Sequence, residues 1–187
     1  MFHARIDDLT ELRLAEEEDA EAAFSLVERD RDHLREYLQW VEGCRSIVDM
    51  LALIQYARAQ VEVLNGFTCS IWHEGRFAGA VGLNSVNWQF RCAEIGYWLG
   101  EEFEGKGIVT RACRMLLNHV FDEMWLAKAE IHVGVTNTRS RAIPERLGFV
   151  EEGTLRFKAY HNGETEDLVV YGILADEWRA LSHRSHE

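Results

Sequence analysis

Cysteine is scarce in this chain. Cys44, Cys69, Cys92 and Cys113 lie far apart with no Cys-x-x-Cys pair, so neither a zinc knuckle nor a disulfide framework is suggested, and buried reduced thiols are expected. Long apolar runs are missing as well. Nothing approaches the roughly 20 residues of a membrane span, and the first eight residues, Met1 to Asp8, lack the apolar stretch of a signal peptide. A cytoplasmic protein with no membrane contact is the expectation. Positive charge is in short supply too: 20 Lys and Arg face 32 Asp and Glu, a net charge of −12. That balance disfavours direct nucleic-acid binding through phosphate neutralisation and favours a cationic substrate. No linker, repeat or low-complexity stretch interrupts the pattern. His183 and His186 imitate a metal pair but read as a frayed polar tail, and no metal is expected.

What is present suits one domain spanning residues 1–187, with a full core drawn from a 47% hydrophobic composition. Leu9 to Ala15 reads as a first strand. Ala20, Ala23, Phe24 and Val27 recur at helical spacing, and a second helical piece carries Leu34, Tyr37, Leu38 and Val41. Ser46 to Asp49 resembles a capping box that opens a helix to Leu64. Phe67 to His73 and Arg76 to Val86 form a hairpin around Glu74-Gly75. Gly79 and Gly82 inside its second strand indicate either close approach of a ligand or backbone, or a bulge or packing against a helix. Cys92 to Leu99 is the next strand, Ile108 to about Met124 a helix, and Lys128 to Thr136 a further strand. Asn137 to Leu147 is a short helix closed by Gly148. Val150 to His161 and Thr165 to Leu174 make a long hairpin across Asn162-Gly163, and Ala175 to Leu181 is a last helical turn. The fold class is α+β on a largely antiparallel sheet.

One stretch organises the chain: the strand ending at Leu99, the turn Gly100-Glu101-Glu102-Phe103-Glu104-Gly105-Lys106-Gly107, and the helix from Ile108. The first turn of a helix offers amides with no intrahelical partner and the positive end of the macrodipole, so a phosphate is stable there. Gly105 and Gly107 clear side chains from the approach and permit positive φ. A dinucleotide fingerprint would need a third glycine where Thr110 stands. A P-loop would need a hydroxyl for magnesium where Gly107 stands.

Glu104-Gly105-Lys106-Gly107-Ile108-Val109 instead resembles the acetyl-CoA pyrophosphate loop of the GCN5-related N-acetyltransferases (GNAT). It departs from that consensus at Glu104, where Gln or Arg is usual, and at Val109, where a small residue is usual. A second motif of that family resembles Asn137-Thr138-Arg139-Ser140 followed by a helix ending Leu147-Gly148-Phe149. The Gly-Lys-Gly-Ile core looks like the Rim-type ribosomal-protein branch in particular. The resemblance implies a GNAT fold with splayed central strands, Cys92 to Leu99 and Lys128 to Thr136, holding acetyl-CoA between them. It implies cofactor contacts from Gly105, Lys106, Gly107, Ile108, Val109, Thr110 and Asn137. A strand amide near Trp98 or Leu99 would lie at the thioester carbonyl. Ser140 matches the proton donor to the departing thiolate; its alternative is an N-cap. Glu94, flanked by apolar strand residues, matches a base that acts through water; its alternative is a structural carboxylate bonded to the connector Asn87 to Arg91. Some Rim-type enzymes carry a Glu before the Tyr of the late hairpin, and here that place is Ala159, before Tyr160.

The activity so implied is acetyl transfer from acetyl-CoA to a primary amine, the α-amine of a ribosomal protein first among acceptors. A small-molecule acetyltransferase acting on polyamine-like amines and a non-catalytic acyl-CoA-binding module remain as alternatives. Rim-type relatives often pair, so a homodimer is a further expectation.

Overall fold

The structure is a computed structural model and describes residues 3–184. Its strands are β1 (His3–Arg5), β2 (Thr10–Leu14), β3 (Phe67–His73), β4 (Arg76–Asn87), β5 (Cys92–Leu99), β6 (Lys128–Gly134), β7 (Val150–His161) and β8 (Glu164–Leu174). They form an open sheet in the order β1-β2-β3-β4-β5-β6-β8-β7. Neighbours are antiparallel except β5 and β6, which run parallel. The helices are α1 (Ala20–Arg29), α2 (Arg31–Leu34), α3 (Ile47–Glu62), α4 (Ile108–Asn118), α5 (Thr138–Leu147) and α6 (Ala175–Arg184). α1 packs on α3 and β4. α4 packs on β4, β5 and α5, while α5 meets β6 and α6 meets β8.

Local chemistry explains most boundaries. Both hairpin turns have positive φ at their two central residues, 52° and 74° at Glu74 and Gly75, and 49° and 88° at Asn162 and Gly163. That is the turn whose twist matches antiparallel strands. The Ser46 side chain accepts the Asp49 N–H and starts α3. Gly148, at φ 86°, closes α5. The apolar face of α4, with Ile108, Val109, Ala112, Cys113, Leu116 and Leu117 buried, packs onto the sheet beside Ile95, Ile131 and Val133.

The structure corrects the sequence reading in several places. The second helical piece is broken into α2 and a 3₁₀ turn, Gln39–Glu42. Arg31 makes the break tolerable, because its guanidinium donates to the carbonyls of Val41 and Cys44, both at 2.7 Å. α4 ends at Asn118 and continues as a π-helical turn, His119–Glu123, in which the Met124 N–H bonds His119 O at 2.9 Å. β1 was not anticipated; its residues are largely exposed, and only pairing with β2 makes it a strand. Cys92 is half-buried, unlike the other three thiols. Burial pushes Cys69 up to about 12 and Cys113 higher, so both stay protonated. His186 and the side chain of His183 lie outside the described residues.

For Gly82 the close-approach reading holds, and at Gly79 both readings hold, because the β3–β4 register shifts there, from Ile71 with Gly79 to Trp72 with Phe77. A methyl on Gly79 would stand 2.2 Å from Trp98 O on β5, and one on Gly82 would stand 2.1 Å from Phe67 O on β3. β4 is thus clamped between its neighbours at side-chain-free points. Gly82→Ala is expected to lower stability by about 1–3 kcal/mol or more, read as a lower denaturant midpoint. Gly43→Ala, whose methyl would sit 3.6 Å from Trp40 O, is expected to stay near wild type. Equal midpoints for the two variants would remove close approach as the reason for Gly82.

Candidate functional site

The β5–β6 ladder pairs Cys92 with Lys128 and stops at Ile95 with Ile131. Both strands run on. β5 continues to Leu99 while still paired with β4, and β6 continues to Gly134 while still paired with β8. The inner edges of Gly96–Leu99 and His132–Gly134 therefore diverge with no ladder between them. Backbone groups in such a gap can pair with an extended ligand arm.

At the mouth of the gap, β5 passes through Gly100 and a 3₁₀ turn, Glu101–Phe103, into the glycine loop. Gly105 and Gly107 have φ of 71° and 69°, and nothing lies within 4 Å of a methyl built on Gly105. Gly107 is the N-cap of α4, and no side chain caps that helix. Its first amides and the dipole are thus available to an anion. Ile108 and Val109 are buried, so only their backbone faces the loop. The Lys106 ammonium lies over the Phe103 ring at 5.4 Å, and Thr110 Oγ1 accepts from Arg146 at 3.0 Å.

Two of the three acidic residues of the loop, Glu102 and Glu104, are paired with basic side chains. Glu102 is paired with Arg29 at 2.6 Å and Arg76 at 2.8 Å. Glu104, the departure from the motif, is paired with His33 at 2.8 Å and with Arg139. Asp30, at the end of α1, accepts the Glu101 N–H at 2.9 Å and so anchors the turn. Burial alone would raise its carboxyl, but the Arg29 bond and that amide hold it below the usual carboxylate range.

The second motif faces the first across the gap. Asn137 is the N-cap of α5, its Oδ1 accepting the Ser140 N–H at 3.0 Å. Ser140 is therefore not the cap. Its Oγ donates to Tyr97 Oη at 3.1 Å, and Tyr97 donates back to Ser140 O at 3.1 Å. Burial drives the Tyr97 phenol far above its ordinary value, which keeps it a donor. Successive strand residues alternate faces, so Trp98 turns away from Tyr97 and packs edge-on against Trp40.

Glu94 shares the face of Trp98 and lines a groove with Ser85, Asn87, Phe90, Cys92, Lys128 and Glu130. It bonds Asn84 on β4, at 2.9 Å, rather than the connector. His132, at the first position of β6 beyond the paired ladder, places Nδ1 3.6 Å from Glu94 and Nε2 3.0 Å from Glu130. Tyr97, Asn84, His132, Arg139 and His33 were all missed from the sequence. Tyr97 and Arg139 stood inside the two motifs and could have been singled out; the others are joined to the site only by tertiary contact.

A family profile described as "Acetyltransferase (GNAT) domain" matches residues 10–150. The chain belongs to the GNAT acetyltransferase family. This GNAT protein is an acetyl-CoA-dependent N-acetyltransferase. It is 38% identical over 179 residues to YdaF of Bacillus subtilis, provisionally named a ribosomal N-acetyltransferase, with 95% of this chain and 98% of that one covered. It is 25% identical to the ribosomal-protein-serine acetyltransferase of Escherichia coli, over 92% of this chain and 96% of that one. A solved structure of RimL, a ribosomal L7/L12 alpha-N-protein acetyltransferase in complex with coenzyme A, superposes with a TM-score of 0.89 at 26% identity, covering 94% of this chain and 99% of that one.

The residues of this GNAT site fit acetyl-CoA: an uncapped helix start behind two positive-φ glycines for the diphosphate, and an open strand edge for the arm. Gly107→Val should therefore weaken CoA binding by 10-fold or more, about 1.4 kcal/mol, because a β-branched residue cannot hold φ near 69° and crowds the loop. Calorimetric titration with CoA measures this; unchanged affinity in a folded variant would reject the loop as the diphosphate site.

Proposed function

We propose that this enzyme acetylates the N-terminal α-amine of a protein, with a ribosomal protein as acceptor, in the cytoplasm. The observation that carries the reading is the acidic sheet face beside the gap, where Glu94 and Glu130 flank His132. Such a face attracts a cationic chain end, and relatives named for ribosomal proteins match this chain over nearly its whole length. Among the described residues no helix is long and apolar enough to cross a membrane.

Bound acetyl-CoA supplies an activated acyl carbon on sulfur. The chain's own residues then have three tasks. One strand amide at Trp98 or Leu99 donates to the oxygen on which charge develops; Gly100 N–H turns toward β4, which favours Leu99 for the gap side. Glu94 takes, through water, the proton that the attacking amine loses as the C–N bond forms. Ser140 Oγ–H supplies the proton that sulfur gains as the C–S bond breaks, and the proton held by Glu94 returns through solvent to restore Ser140. Tyr97 positions Ser140 from behind, through the paired hydrogen bonds at 3.1 Å. An α-amine, with an ordinary pKa of about 8, needs only modest help to become a nucleophile.

A polyamine acceptor is the second reading. It is favoured by 30% identity over 107 residues to the spermidine N(1)-acetyltransferase of Escherichia coli, covering 57% of this chain. Mass spectrometry of protein N-termini from cells with and without the gene separates the two readings: loss of acetylation at ribosomal N-termini supports the first, and an unchanged set of N-termini rejects it.

Ser140→Ala should lower kcat while CoA affinity stays nearly constant; an acetyl-serine trapped at this position would instead make Ser140 a nucleophile. Glu94→Gln should lower kcat/KM about 10²-fold at neutral pH, with the loss shrinking as pH rises and the amine deprotonates unaided. A pH–rate profile decides: full activity at pH 7 removes Glu94 from the reaction, and a pH-independent deficit with a lower melting temperature makes it structural.

A further inference from the structure

Glu166 is a carboxylate on the same sheet face as Glu94, with no countercharge among the described residues. It lies on β8, and its side chain leans over Gly134, the last residue of β6, so closely that a methyl there would meet Oε1 at 2.1 Å. Gly134 follows His132 on one face of β6, the face that also carries Glu130. The carboxylate thus sits at the open end of the gap. A bulge in β7 brings this about: the register jumps between Leu155 and Ala159, with Phe157 at φ 56°, and sets Ala159 opposite Glu166. The small Ala159 side chain, 3.4 Å from the same built methyl, leaves the room that the carboxylate uses.

Its bonding is incomplete. Oε2 accepts the Thr136 N–H at 3.3 Å, whereas Oε1 is buried and has no hydrogen-bond partner among the described residues. Nor does any described cation lie within ion-pair distance of it, although nearby carboxylates are matched. Glu130 pairs with Lys128 at 2.7 Å and Glu36 with His161 at 3.3 Å. Its surroundings are Thr136, whose Oγ1 bonds His161 Nδ1 at 3.2 Å, and Tyr37, stacked on His161 with centroids 4.8 Å apart. Burial, then Glu36, and also the charge of Glu166 raise the Tyr37 phenol, so the field of Glu166 reaches this cluster. A half-buried carboxylate without a partner costs stability unless a cation completes it.

We infer that Glu166 is the group that receives the acceptor's ammonium at the open end of the gap, making it a specificity-determining residue for primary amines. The inference rests on the amine-acceptor reading above. It assigns Glu166 to binding and leaves proton removal to Glu94. Two carboxylates on one face then act in succession: Glu166, several register positions beyond the level of Glu94, captures the cation at the wide end, and the amine moves on into the gap before Glu94 removes its proton through water.

The test uses the full chain saturated with CoA, so that turnover does not intervene. Calorimetric titration with a serine-initial hexapeptide, with its Nα-acetylated form and with spermidine reads the ammonium directly. The wild type should bind the free peptide at least 10-fold tighter than the blocked one, or bind spermidine measurably. Glu166→Gln should lose that preference at unchanged CoA affinity. The double variant Ala159→Glu with Glu166→Gln returns a carboxylate to the same place from the facing strand and should restore it. A wild type indifferent to the ammonium, or a preference that survives Glu166→Gln, would overturn the inference. Turnover of the same probes with acetyl-CoA is measured separately. Ammonium preference without acetylation counts against the acceptor reading alone, whereas acetylation with an unchanged amine KM in Glu166→Gln counts against Glu166 alone.

Discussion

The site depends on a competition between hydrogen-bond ladders. β5 and β6 each have an antiparallel outer neighbour, β4 and β8, whose pairing extends along the strand to Leu99 and to Gly134. The parallel ladder between β5 and β6 is the weaker kind per residue, and it ends after Ile95 and Ile131. Because the outer ladders hold, the inner edges are left open as a fixed feature of the sheet. Such a cleft is formed before its ligand arrives, which avoids the entropy of ordering a loop around it.

The rest of the arrangement keeps this gap open and electrically tolerable. Tyr97 and Ser140 tie β5 to α5 behind it, so the two strands diverge by a set amount. In front of it, Glu104 would repel a diphosphate. Arg139 of α5 offsets that charge and His33 of α2 hydrogen-bonds the other carboxylate oxygen, so that the loop residue unlike the motif is held by the two elements beside it. Arg29 and Arg76 do the same for Glu102. A chain with net charge −12 can therefore present an anion site at the start of α4 and an acidic face on the other side of the same strands. Over separations near a Debye length of about 8–10 Å, local pairing governs the field more than net charge does.

Much was determined by sequence alone, wherever the deciding forces act within a few residues. Strand alternation, helical periodicity, the Asn162-Gly163 turn and the Gly148 stop each depend on φ preferences and side-chain spacing, and these elements lie where the pattern puts them. The glycine loop and the Asn137 to Phe149 motif are likewise contiguous, so the outline of an acyl-CoA site could be drawn before any contact was known. Tertiary structure decided the remainder. The Tyr97–Ser140 link, the place of His132 beside Glu94, the pairing of Glu104 and the solitary position of Glu166 each join residues far apart in the chain. Local irregularities also escaped, among them the β7 bulge between Leu155 and Ala159, the β4 bulge beside Asn84 and the π turn after α4, because pairing register is set by neighbouring strands and not by composition. A carboxylate reads the same in sequence whether it is paired, solvated or alone. Its role follows from which distant backbone and which distant charge the sheet brings beside it, because electrostatic energy depends on separation in space and not along the chain.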